Sequence, residues 1–152
     1  EAILRELATP PQQGTATGLF AALTEVAERA GRRGLVAVAS DLLDFDERAL
    51  EPLSYLVGRG HDVVVFQVLD PDEIELPFED PARFEGLEGE GSLDADPEAL
   101  REAYRTELDG FLRACRGRCV AAGARHVLAR TDEPVEKVLA AVLTGASRKG
   151  FG

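Results

Sequence analysis

Apolar residues recur three and four positions apart at Leu19, Phe20, Leu23, Val26, Ala27 and Ala30, which predicts an amphipathic helix from residue 17 or 18 to 30, ended at Gly31. Before it, Ile3, Leu4 and Leu7 have the spacing of a helix's last turns, stopped by Pro10 and Pro11. The pattern then changes period. Leu35, Val36, Ala37, Val38 and Ala39 form an unbroken apolar run, expected of a strand buried on both faces, and the run stops at Ser40 and Asp41. Helical spacing returns at Leu50, Leu53, Leu56 and Val57, behind a capping Asp46 and ahead of Gly58 and Gly60. A second apolar run, from Val63 to Leu69, again stops at an acid, Asp70.

Strand, helix and strand in this order, with continuously apolar strands, predict a crossover unit in a parallel sheet. Residues 72 to 95 interrupt the rhythm with acids, Pro and Gly around short apolar pieces, 76–78 and 83–87, and suggest a small antiparallel hairpin insertion. Asp96-Pro97 starts a long helix carrying Leu100, Tyr104, Leu108, Phe111, Leu112, Cys115 and Cys119, ending at Gly123. A third strand follows at His126, Val127, Leu128 and Ala129. Thr131 or Asp132 is the expected cap of a last helix carrying Val135, Val138, Leu139, Val142 and Leu143.

The expected fold class is therefore α/β: an open, doubly wound, mostly parallel sheet with helices on both faces. The expected division is one domain over residues 1–144 and a flexible tail over 145–152. Three strands make a narrow sheet, so the domain reads as incomplete at its N-terminus, and the edge left open would admit a homodimer.

Composition narrows the function. The chain has 152 residues, 45% apolar and 30% charged, as a soluble globular domain has. Its formal net charge of −11 repels phosphate backbones and anionic lipid, which argues against nucleic-acid binding and membrane contact. The two cysteines, Cys115 and Cys119, lie one helical turn apart beside Phe111 and Leu112, where core packing explains them. So few cysteines suit a reducing compartment, and the expected location is cytoplasmic. No Gly-rich phosphate loop joins a strand to a helix.

In open parallel sheets, ligands bind beyond the carboxyl ends of the strands, which brings forward Ser40-Asp41, Asp70 and Thr131-Asp132. Asp41 follows the first strand directly, and Thr15 and Thr17 stand at the start of the preceding helix. A hydroxyl and a carboxylate are hard oxygen ligands of the kind Mg²⁺ or Mn²⁺ takes; the competing reading makes Thr17 a helix cap and Asp41 a turn residue. Thr131 and Asp132 fit a cap better than a ligand. His61 and His126 stand at strand entrances, with no evident nucleophile or acid beside them.

The runs Arg33-Gly34-Leu35-Val36-Ala37-Val38-Ala39-Ser40-Asp41-Leu42-Leu43-Asp44 and His61-Asp62-Val63-Val64-Val65-Phe66-Gln67-Val68-Leu69-Asp70-Pro71, followed by Leu76-Pro77-Phe78, Phe84-Glu85-Gly86-Leu87-Glu88 and Thr131-Asp132-Glu133-Pro134, resemble one family. It is that of the bacterial von Willebrand factor A-like proteins grouped as domain of unknown function fifty-eight. The resemblance implies a non-enzymatic protein-interaction module with a metal-ion-dependent adhesion site for Mg²⁺ or Mn²⁺ in the complete domain. It places Thr17 and Asp41 among the ligands, with Thr15, Ser40, Asp44 and Asp70 on the ligand-facing crest. The Asp-x-Ser-x-Ser motif of such sites is absent from this sequence and is expected upstream of Glu1. A MoxR-type AAA+ ATPase, acting in assembly or activation of other proteins, is the partner the resemblance implies. The alternative is a small, phosphatase-like α/β hydrolase using Asp41, although Asp41 and Asp44 are three apart where that chemistry wants two.

Overall fold

Three strands, Leu35–Ser40 (β1), Asp62–Leu69 (β2) and Arg125–Arg130 (β3), form a parallel sheet in the order β1-β2-β3. A computed structural model describes residues 18–31, 33–76 and 97–143. The helices are Leu19–Arg29 (α1), Leu50–Gly58 (α2), Pro71–Glu75 (α3), Pro97–Ala121 (α4) and Val135–Leu143 (α5), with a 3₁₀ turn at Glu47–Ala49 leading into α2. The mixed α/β class and the parallel pairing are as the apolar runs demanded.

Register assigns the faces. Val63, Val65 and Gln67 of β2 stand opposite Val36, Val38 and Ser40 of β1, and Gln67 stands opposite Leu128 of β3. On this face, Val63 and Val65 join Leu23 and Ala27 of α1, Leu53 and Leu56 of α2, and Cys115 and Cys119 of α4 in one buried cluster. Both cysteines are fully buried and free, as packing residues should be. Burial pushes the Cys119 thiol up to about 12, with the neighbouring Cys115 adding to it.

The opposite face carries α5. Arg125, level with Val64, donates to the Val142 carbonyl at 2.7 Å and pairs with Asp62 at 2.6 Å, tying α5 to the start of β3.

Four expectations need correction or a boundary. β1 is not buried on both faces: Leu35, Ala37 and Ala39 are exposed, Leu35 at 66%, because β1 is an edge strand among the described residues and no described helix covers that face. Its composition, uncharged and without Pro, is that of an interior strand. The stretch after β2 begins as a helix and not as a hairpin: Asp70 accepts the Asp72 amide, Pro71 occupies the first turn, and Glu73 reaches back to the Asp70 amide in a capping box. Residues 77–96, where the rest of the antiparallel insertion was expected, lie outside the described residues, as do the helical turns expected before residue 18 and the tail. Finally, neither Thr131 nor Asp132 caps α5. Their side chains turn back toward Asp70 and Arg130, and the helix starts at Val135 behind Pro134, whose carbonyl accepts from Lys137 and Val138.

Candidate functional site

β1 ends in a loop, residues 41–46, that every neighbouring element grips. Leu42 and Phe45 drop into the core, at 0% and 3% exposure. Leu42 adopts a left-handed backbone (φ 65°), a conformation that costs a side-chain-bearing residue on the order of 1–2 kcal/mol. Burial of a whole leucine side chain returns roughly 1.5–3 kcal/mol, so the kink holds.

Hydrogen bonds complete the grip. The Leu42 amide donates to Ser40 Oγ (3.0 Å) and the Leu43 amide to Asp41 Oδ1 (3.1 Å). Gln67 Nε2 donates to the Asp41 carbonyl (3.2 Å) and Arg118 of α4 to the Phe45 carbonyl (2.9 Å). Asp44 Oδ2 accepts the Leu19 amide at 2.7 Å and so caps α1 from across the chain.

The expected site residues thus separate by role. Asp41 is exposed at the carboxyl end of β1, with Oδ1 engaged by the loop. Ser40 lies beside it and donates to Oδ1 at 3.4 Å. Asp44 is in the same loop but is used as a helix cap. Asp70, at the end of β2, caps α3 and accepts from Thr131 Oγ1 (2.7 Å). The Asp72 amide, and then the Thr131 hydroxyl, hold the Asp70 carboxyl below the usual carboxylate range. Thr15 and Thr17 lie outside the described residues; Gly18, next in the chain to Thr17, meets Asp44, where an added Cβ would stand 3.4 Å from Oδ2.

A second polar group closes the ends of β2 and β3. Arg130 donates to Asp132 (2.9 Å) and to Glu75 of α3 (3.0 Å), and both carboxylates reinforce its charge, Asp132 first. Tyr104 of α4 donates to the Glu73 carbonyl. This end of the sheet is locked by its own ion pairs.

Among the described residues, no group of three or more His, Cys, Asp or Glu side chains could hold a metal ion. Asp41 and Ser40 alone would leave most of an octahedral shell unfilled, so these residues do not make a metal site by themselves.

Sequence reasoning passed over one residue here. Gln67 is the polar exception within Val63–Leu69, and it is fully buried. A lone amide inside a buried strand must find partners, and that was the available signal.

Residues 1–110 match the family described as protein of unknown function DUF58, and the chain belongs to that family. It is 30% identical over 143 residues to the uncharacterized protein Rv1480 of Mycobacterium tuberculosis, covering 86% of this chain and 41% of the relative. It is 28% identical over 144 residues to the uncharacterized protein MAV169 of Mycobacterium avium, covering 87% of this chain and 79% of the relative. The chain thus spans about two fifths of the length of Rv1480. No solved structure matches it. No described helix is long and apolar enough to cross a membrane.

Proposed function

We propose that the chain is the binding part of a von Willebrand factor A-like interaction module, with Asp41 presented to a protein partner at the carboxyl end of β1. The observation that carries this reading is the loop at 41–46. Its backbone is fixed from the sheet, from α4 and from α1, yet its Asp41 carboxylate faces solvent. A rigidly held, exposed carboxylate at a strand's carboxyl end suits ligand capture.

Thr17 is the proposed second ligand, two residues before Leu19, whose amide Asp44 holds beside the loop. Mg²⁺ or Mn²⁺ would bind there only with further ligands beside these two. The proposed partner is a MoxR-type AAA+ ATPase acting in assembly or activation of other proteins, and the module itself is non-catalytic. The side of β1 left unpaired among the described residues would also accept a second copy of the chain.

Mg²⁺ titration of the full-length protein by calorimetry tests the reading. Asp41→Ala is expected to abolish binding; unchanged affinity removes Asp41 as a ligand. Turnover of a phosphate ester that Asp41→Asn abolishes would favour a hydrolase instead.

A further inference from the structure

Gln67 is buried with both ends of its amide in use. Nε2 donates to the Asp41 carbonyl at 3.2 Å, and Oε1 accepts from His126 Nε2 on β3 at 3.0 Å. This orientation of the amide requires the His126 proton on Nε2. From β2, the side chain therefore links the loop after β1 to β3, two strands away in the sheet. Packing does not demand this: Val63 and Val65 fill the same face of β2 with apolar side chains.

The Asp41 carbonyl sits between the last residue of β1 and the strained Leu42. The backbone turns there, and the direction of the Asp41 side chain follows from that turn. Ser40 Oγ and Asp41 Oδ1 hold the loop from its own side, accepting the Leu42 and Leu43 amides. Only Gln67 holds the Asp41 carbonyl from within the sheet among the described hydrogen bonds.

We propose that Gln67, braced by His126, is the positioning residue of the Asp41 loop, setting the carboxylate's direction from inside the sheet. This rests on the reading of Asp41 as the binding carboxylate, but the two can fail separately.

Native-state hydrogen exchange on the 152-residue chain tests it. In Gln67→Met, which keeps the volume and removes both bonds, the Leu42 and Leu43 amides are expected to exchange about tenfold faster relative to those of Val64 and Val65, because the loop itself loses one of the two, the bond to the Asp41 carbonyl. Equal acceleration of loop and strand amides, as a general packing defect would give, overturns the proposal. Should Gln67→Met not fold, His126→Phe leaves Gln67 in place and removes its brace; a smaller loop-specific acceleration is expected, and none overturns the proposal. Calorimetry on Asp41→Ala reports independently on the binding reading.

Discussion

The Asp44 carboxylate accepts the Leu19 amide at 2.7 Å, so the loop after β1 supplies the N-terminal cap of a helix that precedes it by a whole strand. Replacing Asp44 with Ala should cost about 1 kcal/mol, the usual worth of a cap, while Asn should retain most of it. Urea unfolding would measure this. Equal stability of the Ala variant and the parent would show that the cap contributes nothing.

Cys115 and Cys119 should be inert to a thiol reagent in the native state, since burial raises both thiols and leaves no thiolate at neutral pH. Reaction should appear only in denaturant. Rapid modification of the folded chain by an aromatic disulfide would contradict the packing role.

His126 titrates below its ordinary 6.5, first because burial disfavours the charged ring and then because the Arg116 charge opposes it. The unfolded chain therefore takes up this proton first. Stability should be full above about pH 6.5 and fall as pH drops from there through the folded value. The buffered carboxylates Asp46, Asp70 and Asp132 are lowered as well, by Arg48, by the Asp72 amide and by Arg130 respectively, so their losses come at more acid pH. In thermal melts from pH 7.5 to 5, His126→Asn should flatten the first loss; an unchanged slope would assign it elsewhere.

Two adjacent strands make a contrast, since Ala37 of β1 is exposed among the described residues and Val65 of β2 is buried. Ala37→Lys, on the exposed side, should change stability by no more than about 0.5 kcal/mol, whereas Val65→Ala, in the core, should cost roughly 2 kcal/mol. If the chain self-associates through β1, sedimentation equilibrium should find Ala37→Lys less associated than the parent, because a lysine blunts a sheet edge. Association unaffected by the lysine would place the contact elsewhere.

The three strands, four of the helices and the packing role of the cysteines were legible in the order of residues, since period and capping residues act over a few positions. The same cap logic that marked Asp96-Pro97 would have marked Asp70-Pro71, and Glu73 completes that signature; the acidic surroundings hid it. The exposed position of Asp41 just past β1 was legible because the apolar run stops there.

Local order could not decide how Asp44, Asp70 and Thr131 are spent. An acid at a strand end can take a ligand, cap a helix or receive a hydroxyl, and the choice depends on what the fold brings within about 3 Å. Leu19 is 25 residues from Asp44, and Thr131 is 61 from Asp70. Gln67 shows the same division: its sequence determined that a polar group would be buried, and only the tertiary structure, by setting the Asp41 carbonyl and His126 on either side, decided what it holds. Hydrogen bonds are short-ranged and directional, so their partners are settled by packing and not by position along the chain.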